Sequence, residues 1–114
     1  MVSGRKKKFF IEFPNVTQFM STQSEKINAE YREIVQLLER DGRLSMPNGE
    51  KIRGEDLFAI RVINAGNVRV FYVYGKEDNV YGIHGYVKKS QKIPLSELEQ
   101  ARKLVRELKQ ARLI

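Results

Sequence analysis

Between Leu57 and Val87 the chain runs through three similar segments, LFAIRVIN, VRVFYVYG and VYGIHGYV, separated only by the short stretches AGN and KEDN. Each segment is rich in β-branched and aromatic residues, the composition of strands. Connections of three or four residues are too short for a crossover, so consecutive strands must pair antiparallel. A three-stranded meander is therefore the frame on which the rest must pack, and at least one of its faces needs a cover.

The cover is written in helical spacing. In SEKINAEYREIVQLLERDG the apolar residues Ile27, Tyr31, Ile34, Val35 and Leu38 recur at i, i+4, i+7, i+8 and i+11, which is one face of a helix, and Gly42 is a natural stop. Thr22 and Glu25 stand at the capping-box spacing before it, and VTQFMSTQ suits a shorter helix. KKFFIEF, residues 7–13, reads as a strand closed by Pro14, and residues 43–56, punctuated by Pro47, Asn48-Gly49 and Gly54, read as a loop. After Pro94, Ser96 and Glu99 repeat the capping spacing, and Leu98, Ala101, Val105 and Leu108 make a second helical stripe. The expected architecture is a small α+β domain covering residues 1–114. It consists of an antiparallel sheet with two N-terminal helices packed on one face and a C-terminal helix, all on one side of the meander. Residues 1–6 are expected to be a disordered basic N-terminus.

Lys and Arg number 21 against 14 Asp and Glu, a net charge of +7. That balance favours nucleic acid, an anionic surface or an acidic partner. Without cysteine there is no disulfide framework and no thiolate metal site, which fits a reducing compartment. The apolar run FFIEF is broken by Glu12 and ended by Pro14, too short for a signal peptide or a spanning helix, so a soluble cytoplasmic chain is expected. One histidine and scattered carboxylates give no metal-ligand spacing, and no phosphate-cradling glycine motif or nucleophile elbow occurs. No metal, cofactor or membrane is expected.

Charge is concentrated in HGYVKKSQKIP, residues 84–94, where the third strand ends in Lys88, Lys89 and Lys92. If Ala65-Gly66-Asn67 forms a three-residue hairpin loop with Gly or Asn left-handed, Ile60 faces Tyr72, Val62 faces Val70 and Phe58 faces Tyr74. Arg61 and Arg69 then share the other, exposed sheet face, whereas a two-residue loop would separate them. Two guanidiniums beside a lysine cluster suit a phosphate, through bidentate forks and added point charge. RNA cleavage also needs proton transfer, for which Tyr86, His84 and a lysine are the candidates. The plain alternatives are solvated arginines, or arginines paired with Glu55 or Asp56, and a solvated strand end. Lys88 and Lys89 leave a strand by opposite faces, so only one can join Arg69.

GEDLFAIRVINAGNVRVFYVY followed by IHGYVKKSQKIPLSELEQARK resembles the RelE/HigB superfamily of toxins from type II toxin–antitoxin systems, in particular its phage-derived, HigB-like branch. The likeness covers residues 50–106 best. It implies an mRNA-cleaving endoribonuclease, commonly acting in the ribosomal A site, and a small antitoxin partner, usually a helix-turn-helix protein for this branch. By position it matches Arg69 to the sheet arginine that contacts the scissile phosphate, Arg61 to a basic position on the preceding strand, and Lys88, Lys89 and Lys92 to the region of a further catalytic Arg or Lys. With the proton-transfer candidates added, the expected catalytic set is Arg69, Arg61, Lys88, Lys89, His84 and Tyr86, with Lys92, Arg53 and Lys51 holding RNA. Ala59 stands where some relatives have lysine, and no C-terminal tyrosine matches the one that assists proton transfer in better-studied members. The alternatives are a ParE-like toxin that inhibits DNA gyrase without catalysis, and a basic nucleic-acid-binding module.

Overall fold

The computed structural model describes residues 5–114, so Met1–Gly4 of the expected N-terminal tail lie outside the described residues. Eight elements follow one another: β1 (Phe9–Glu12), α1 (Pro14–Ser21), α2 (Glu25–Asp41), β2 (Gly49–Lys51), β3 (Phe58–Val62), β4 (Val68–Tyr74), β5 (Asn79–Val87) and α3 (Leu95–Gln110). They build a five-stranded sheet in the order β1-β5-β4-β3-β2. The meander β3-β4-β5 is antiparallel as expected, while β1 lies parallel to β5 at one edge. Residues 43–56 are not all loop: Gly49–Lys51 pair antiparallel with β3 and form the other edge. Glycine, asparagine and proline signals hid a strand only three residues long.

The helices divide between the two faces, which corrects the expectation of a single covered face. Val16 and Met20 of α1 and Tyr31, Ile34 and Leu38 of α2 pack on Ile60, Val62, Val70, Tyr72 and Val80. On the other face Ala101, Val105 and Leu108 of α3 cover Leu57, Ala59, Phe71, Val73 and Tyr81. The caps also differ from their sequence signals. Ser24, not Thr22, caps α2 by accepting the Ile27 amide at 3.1 Å, while Thr22 turns its hydroxyl to the Phe19 carbonyl. Gly42 ends α2 in the left-handed conformation at φ 78°. Pro94 occupies the N-cap of α3 with no side-chain cap, so the Ser96–Glu99 pair does not act as one.

Two local irregularities set which residues share a face. In the β3-β4 hairpin Phe58 pairs with Tyr72, Ile60 with Val70, Arg61 with Arg69 and Val62 with Val68. The register is two residues from the one expected, so the loop has five residues and the alternation of faces survives. Neither Gly66 nor Asn67 is left-handed. The longer loop has a visible cause. The Glu30 carboxylate on α2 accepts the amides of Ile63, Asn64 and Ala65 at 3.1, 3.2 and 2.6 Å, drawing them out of the ladder. Replacing Glu30 by Ala should therefore cost about 2 kcal/mol in urea unfolding, as expected for loss of charge-assisted bonds to backbone amides. Glu30→Gln, which keeps an acceptor, should cost less.

The second irregularity is in β5. Tyr72 pairs with Gly82 but the preceding Phe71 pairs with His84, leaving Ile83 as an extra residue. Such a bulge reverses the side-chain alternation beyond it. Tyr81 lies on the α3 face, and past Ile83 that face passes to His84 and Tyr86, opposite Phe71 and Arg69.

Candidate functional site

Beyond the N-terminal end of α3, on the same sheet face, a cleft of about 730 Å3 opens over the ends of β3, β4 and β5. Arg69, Tyr86, Lys88, Lys92 and Arg53 all line it, together with Glu50 and Gln91. Ile52, Ala59, Phe71, Ile93 and Leu98 supply its apolar wall. Of the residues the sequence singled out, Arg61, His84, Lys89 and Lys51 are not in the lining. Lys89 is exposed. Lys51 lines a separate recess beside α3, where its ammonium donates to the Glu55 and Ile52 carbonyls and lies 5.5 Å over the Phe58 ring.

Arg69 is not on an exposed surface, as the sequence suggested, but only 4% exposed. One terminal nitrogen donates to the Asn67 side-chain oxygen at 3.1 Å and to the Val68 carbonyl at 3.2 Å. No carboxylate pairs with it. Burial holds the pKa of its guanidinium below the usual arginine value, and the charge of Arg61 across the strand pair lowers it further. Among the described residues, the Nε atoms of Arg61 and Arg69 are the two buried side-chain nitrogens without a hydrogen-bond partner. Native chains satisfy nearly all such groups, so two on directly paired residues, with Arg69 in the cleft lining, mark a place suited to an acceptor.

Arg61 itself donates to the Pro47 carbonyl at 3.2 Å, and its Nε lies 3.8 Å from a Glu50 carboxylate oxygen. Neither arginine is taken by Glu55 or Asp56. Glu55 forms a bidentate pair with Arg102 at 2.6 and 3.0 Å, which holds its carboxyl below the usual range, and Asp56 lies 3.6 Å from Lys109.

Tyr86 is buried, and that burial pushes its pKa up to about 12 against the lowering effect of Arg69. At neutral pH it is a phenol and so a donor, not a phenolate base. His84 sits one strand step away, its ring centroid 6.4 Å from Tyr86 and 6.2 Å from Phe71, with Nε2 at 2.6 Å from Glu97.

Four residues here escaped the sequence reading. Glu50 is the one carboxylate in the cleft lining, on the strand mistaken for loop. Asn67, taken as a turn residue, exchanges two hydrogen bonds with Lys88, accepting its amide at 2.8 Å and donating to its carbonyl at 2.7 Å. The same side chain holds Arg69. Gln91 stands among the lysines, and Glu97 reaches back from α3. Only Glu50 carried any signal, as a lone carboxylate in a basic stretch.

The fold thus gathers two guanidiniums, Arg53 and Arg69, two ammonium groups, Lys88 and Lys92, a neutral phenol and one carboxylate around an apolar-walled cleft. That is the equipment for holding an oxyanion and moving a proton next to it. The fold and this site define a small basic α+β protein of the RelE-like type. Residues 18–106 match the family described as phage derived protein Gp49-like (DUF891), and the chain belongs to that family, a RelE/HigB-like toxin family of toxin–antitoxin systems. Membership implies an antitoxin partner. No curated protein matches the chain. Among the described residues no helix is long and apolar enough to cross a membrane.

Proposed function

We propose that this chain is the toxin of a type II pair and acts as an endoribonuclease on mRNA, on the ribosome, so blocking translation, with a helix-turn-helix antitoxin covering it. The observation that carries this reading is the buried, unsatisfied Nε of Arg69 in a cleft lined by Lys88, with the equally unsatisfied Nε of Arg61 on the directly paired strand residue. A protein that only docks on another has no need to keep an unpaired guanidinium out of water.

In this reading Arg69, supported by Arg61 and Lys88, binds the scissile phosphate and the extra negative charge of the transition state. Glu50 accepts the proton of the 2′-hydroxyl as its oxygen attacks phosphorus. The bond to the 5′-oxygen breaks, that oxygen takes a proton from the Tyr86 phenol, and a 2′,3′-cyclic phosphate remains. Arg53 and Lys92 attract the flanking backbone. Side chains supply every step.

Induction in a susceptible bacterium should arrest growth and create new RNA 5′ ends within codons, and the neighbouring antitoxin gene should suppress both. Growth arrest with unchanged RNA ends and inhibited gyrase supercoiling would favour the ParE-like alternative.

The lysine block gives a finer test. Lys88→Ala should slow single-turnover cleavage about 100-fold, as loss of an oxyanion donor does elsewhere. Lys89→Ala, outside the cleft, should change little. Lys92→Ala should weaken RNA association and flatten its salt dependence by about one phosphate contact. Equal, small losses at all three would reduce the block to a solvated patch.

A further inference from the structure

The segment Lys88–Pro94, between β5 and α3, carries two of the cleft lysines and is anchored at its two ends by different groups. Its β5 end is fixed by the two hydrogen bonds between Lys88 and Asn67. Its α3 end has no comparable backbone lock. Pro94 provides no side-chain cap, and the amides of Glu97 and Leu98 bond only to the Pro94 carbonyl at 3.1 and 3.2 Å. What ties this first turn polarly to the sheet is the 2.6 Å contact from Glu97 Oε1 to His84 Nε2.

Both groups are largely covered, His84 at 16% and Glu97 at 30% side-chain exposure. The His84 ring lies against both Phe71 and Tyr86, nearly parallel to each, so its position is set by the sheet and not by the loop. With the proton on Nε2, the imidazole donates to the carboxylate, a short, charge-assisted bond across 13 residues of chain. That nitrogen is then committed, and neither His84 nor Glu97 lines the cleft.

We infer that His84 and Glu97 form a positioning clamp: the sheet-fixed imidazole holds the first turn of α3, and through it places Lys92 over the cleft for the RNA backbone. The inference rests on the endoribonuclease reading for its ligand, but the clamp itself does not. Its effect is one-sided. Lys88, held by Asn67, is independent of it, whereas Lys92 depends on it.

The test is Glu97→Ala, a change at a part-exposed position that leaves the sheet and its stacked rings intact, with Glu97→Gln as the conservative variant because its amide oxygen still accepts from Nε2–H. Exchange of the Glu97 and Leu98 amides should accelerate about tenfold or more in the alanine variant and largely recover in the glutamine one. Binding of a single-stranded RNA oligonucleotide should weaken about fivefold, the scale of one lost phosphate contact. In the Glu97→Ala background, adding Lys92→Ala should then cost nothing further, while adding Lys88→Ala should cost its full effect on cleavage. Unchanged amide exchange, or a Lys92→Ala loss that stays whole without Glu97, overturns the clamp. A wild type that binds no RNA overturns the endoribonuclease reading instead, and the exchange measurement alone then decides the clamp.

Discussion

Replacing Arg69 by methionine is expected to abolish RNA cleavage, by about 1000-fold or more, while leaving the fold as stable as before or more so. The usual cost of removing a buried charge arises because its partner is left behind in low dielectric. Here there is no ionic partner. The guanidinium donates to Asn67 and to the neighbouring carbonyl of Val68, both reachable through one terminal nitrogen, and its Nε is unpaired. Burial and the facing Arg61 both disfavour the charged form in the folded chain. Methionine fills much the same space against Phe71 and Tyr86 without the desolvation penalty or the repulsion. Chemical denaturation should therefore give a midpoint at or above that of the wild type, with single-turnover cleavage lost. A folded protein is thus carrying a charge that its own stability would be better without, the usual mark of a site kept for a ligand. If Arg69→Met instead unfolds the chain, Arg69 is a structural residue and the phosphate site is wrong.

How far the site could be foreseen depends on which geometry each residue needed. The helix faces were legible because Ile34 and Leu38, or Ala101 and Val105, announce themselves by spacing alone, and packing then has only to agree. The joint placement of Arg61 and Arg69 was legible too, since a two-residue error in register leaves alternation unchanged. What could not be read were effects of parity and of distant partners. The extra Ile83 decides that His84 and Tyr86 stand with Arg69, and nothing in VYGIHGYV marks a bulge there. That same switch resolves the choice between the adjacent lysines, bringing Lys88 to the cleft lining and leaving Lys89 out of it. The burial of Arg69 was hidden because arginine in an alternating strand reads as solvent-facing unless α3 is known to cover that face. The five-residue hairpin loop depends on Glu30, more than thirty residues away in sequence.

Glu50 is where a missed element matters most. In a stretch read as loop, Glu50 is one carboxylate beside Lys51 and Arg53, with no role assigned to it. Once Gly49–Lys51 pair with β3, Glu50 stands opposite Ala59 on the face of the cleft, 3.8 Å from Arg61. Two roles compete for it, and they predict opposite signs. If Glu50 merely neutralises Arg61, then Glu50→Gln frees positive charge. RNA should bind more tightly and cleavage at saturating RNA should hold or rise. If Glu50 takes the 2′-hydroxyl proton, the same variant should bind RNA as tightly or more tightly, because a negative charge has left a basic cleft. Its single-turnover rate should nonetheless fall by about 100- to 10000-fold, the range that general-base catalysis contributes. Glu50→Asp, which keeps the carboxylate but withdraws it, should lie between. We expect this second pattern, tighter binding with collapsed chemistry, because the phenol of Tyr86 is held protonated, His84 does not line the cleft, and Glu50 is the one carboxylate that does. Preserved turnover in Glu50→Gln at saturating RNA would return proton abstraction to a lysine of the cleft, with Lys88 the first to examine, since it alone among the lysines is fixed by its backbone beside Arg69.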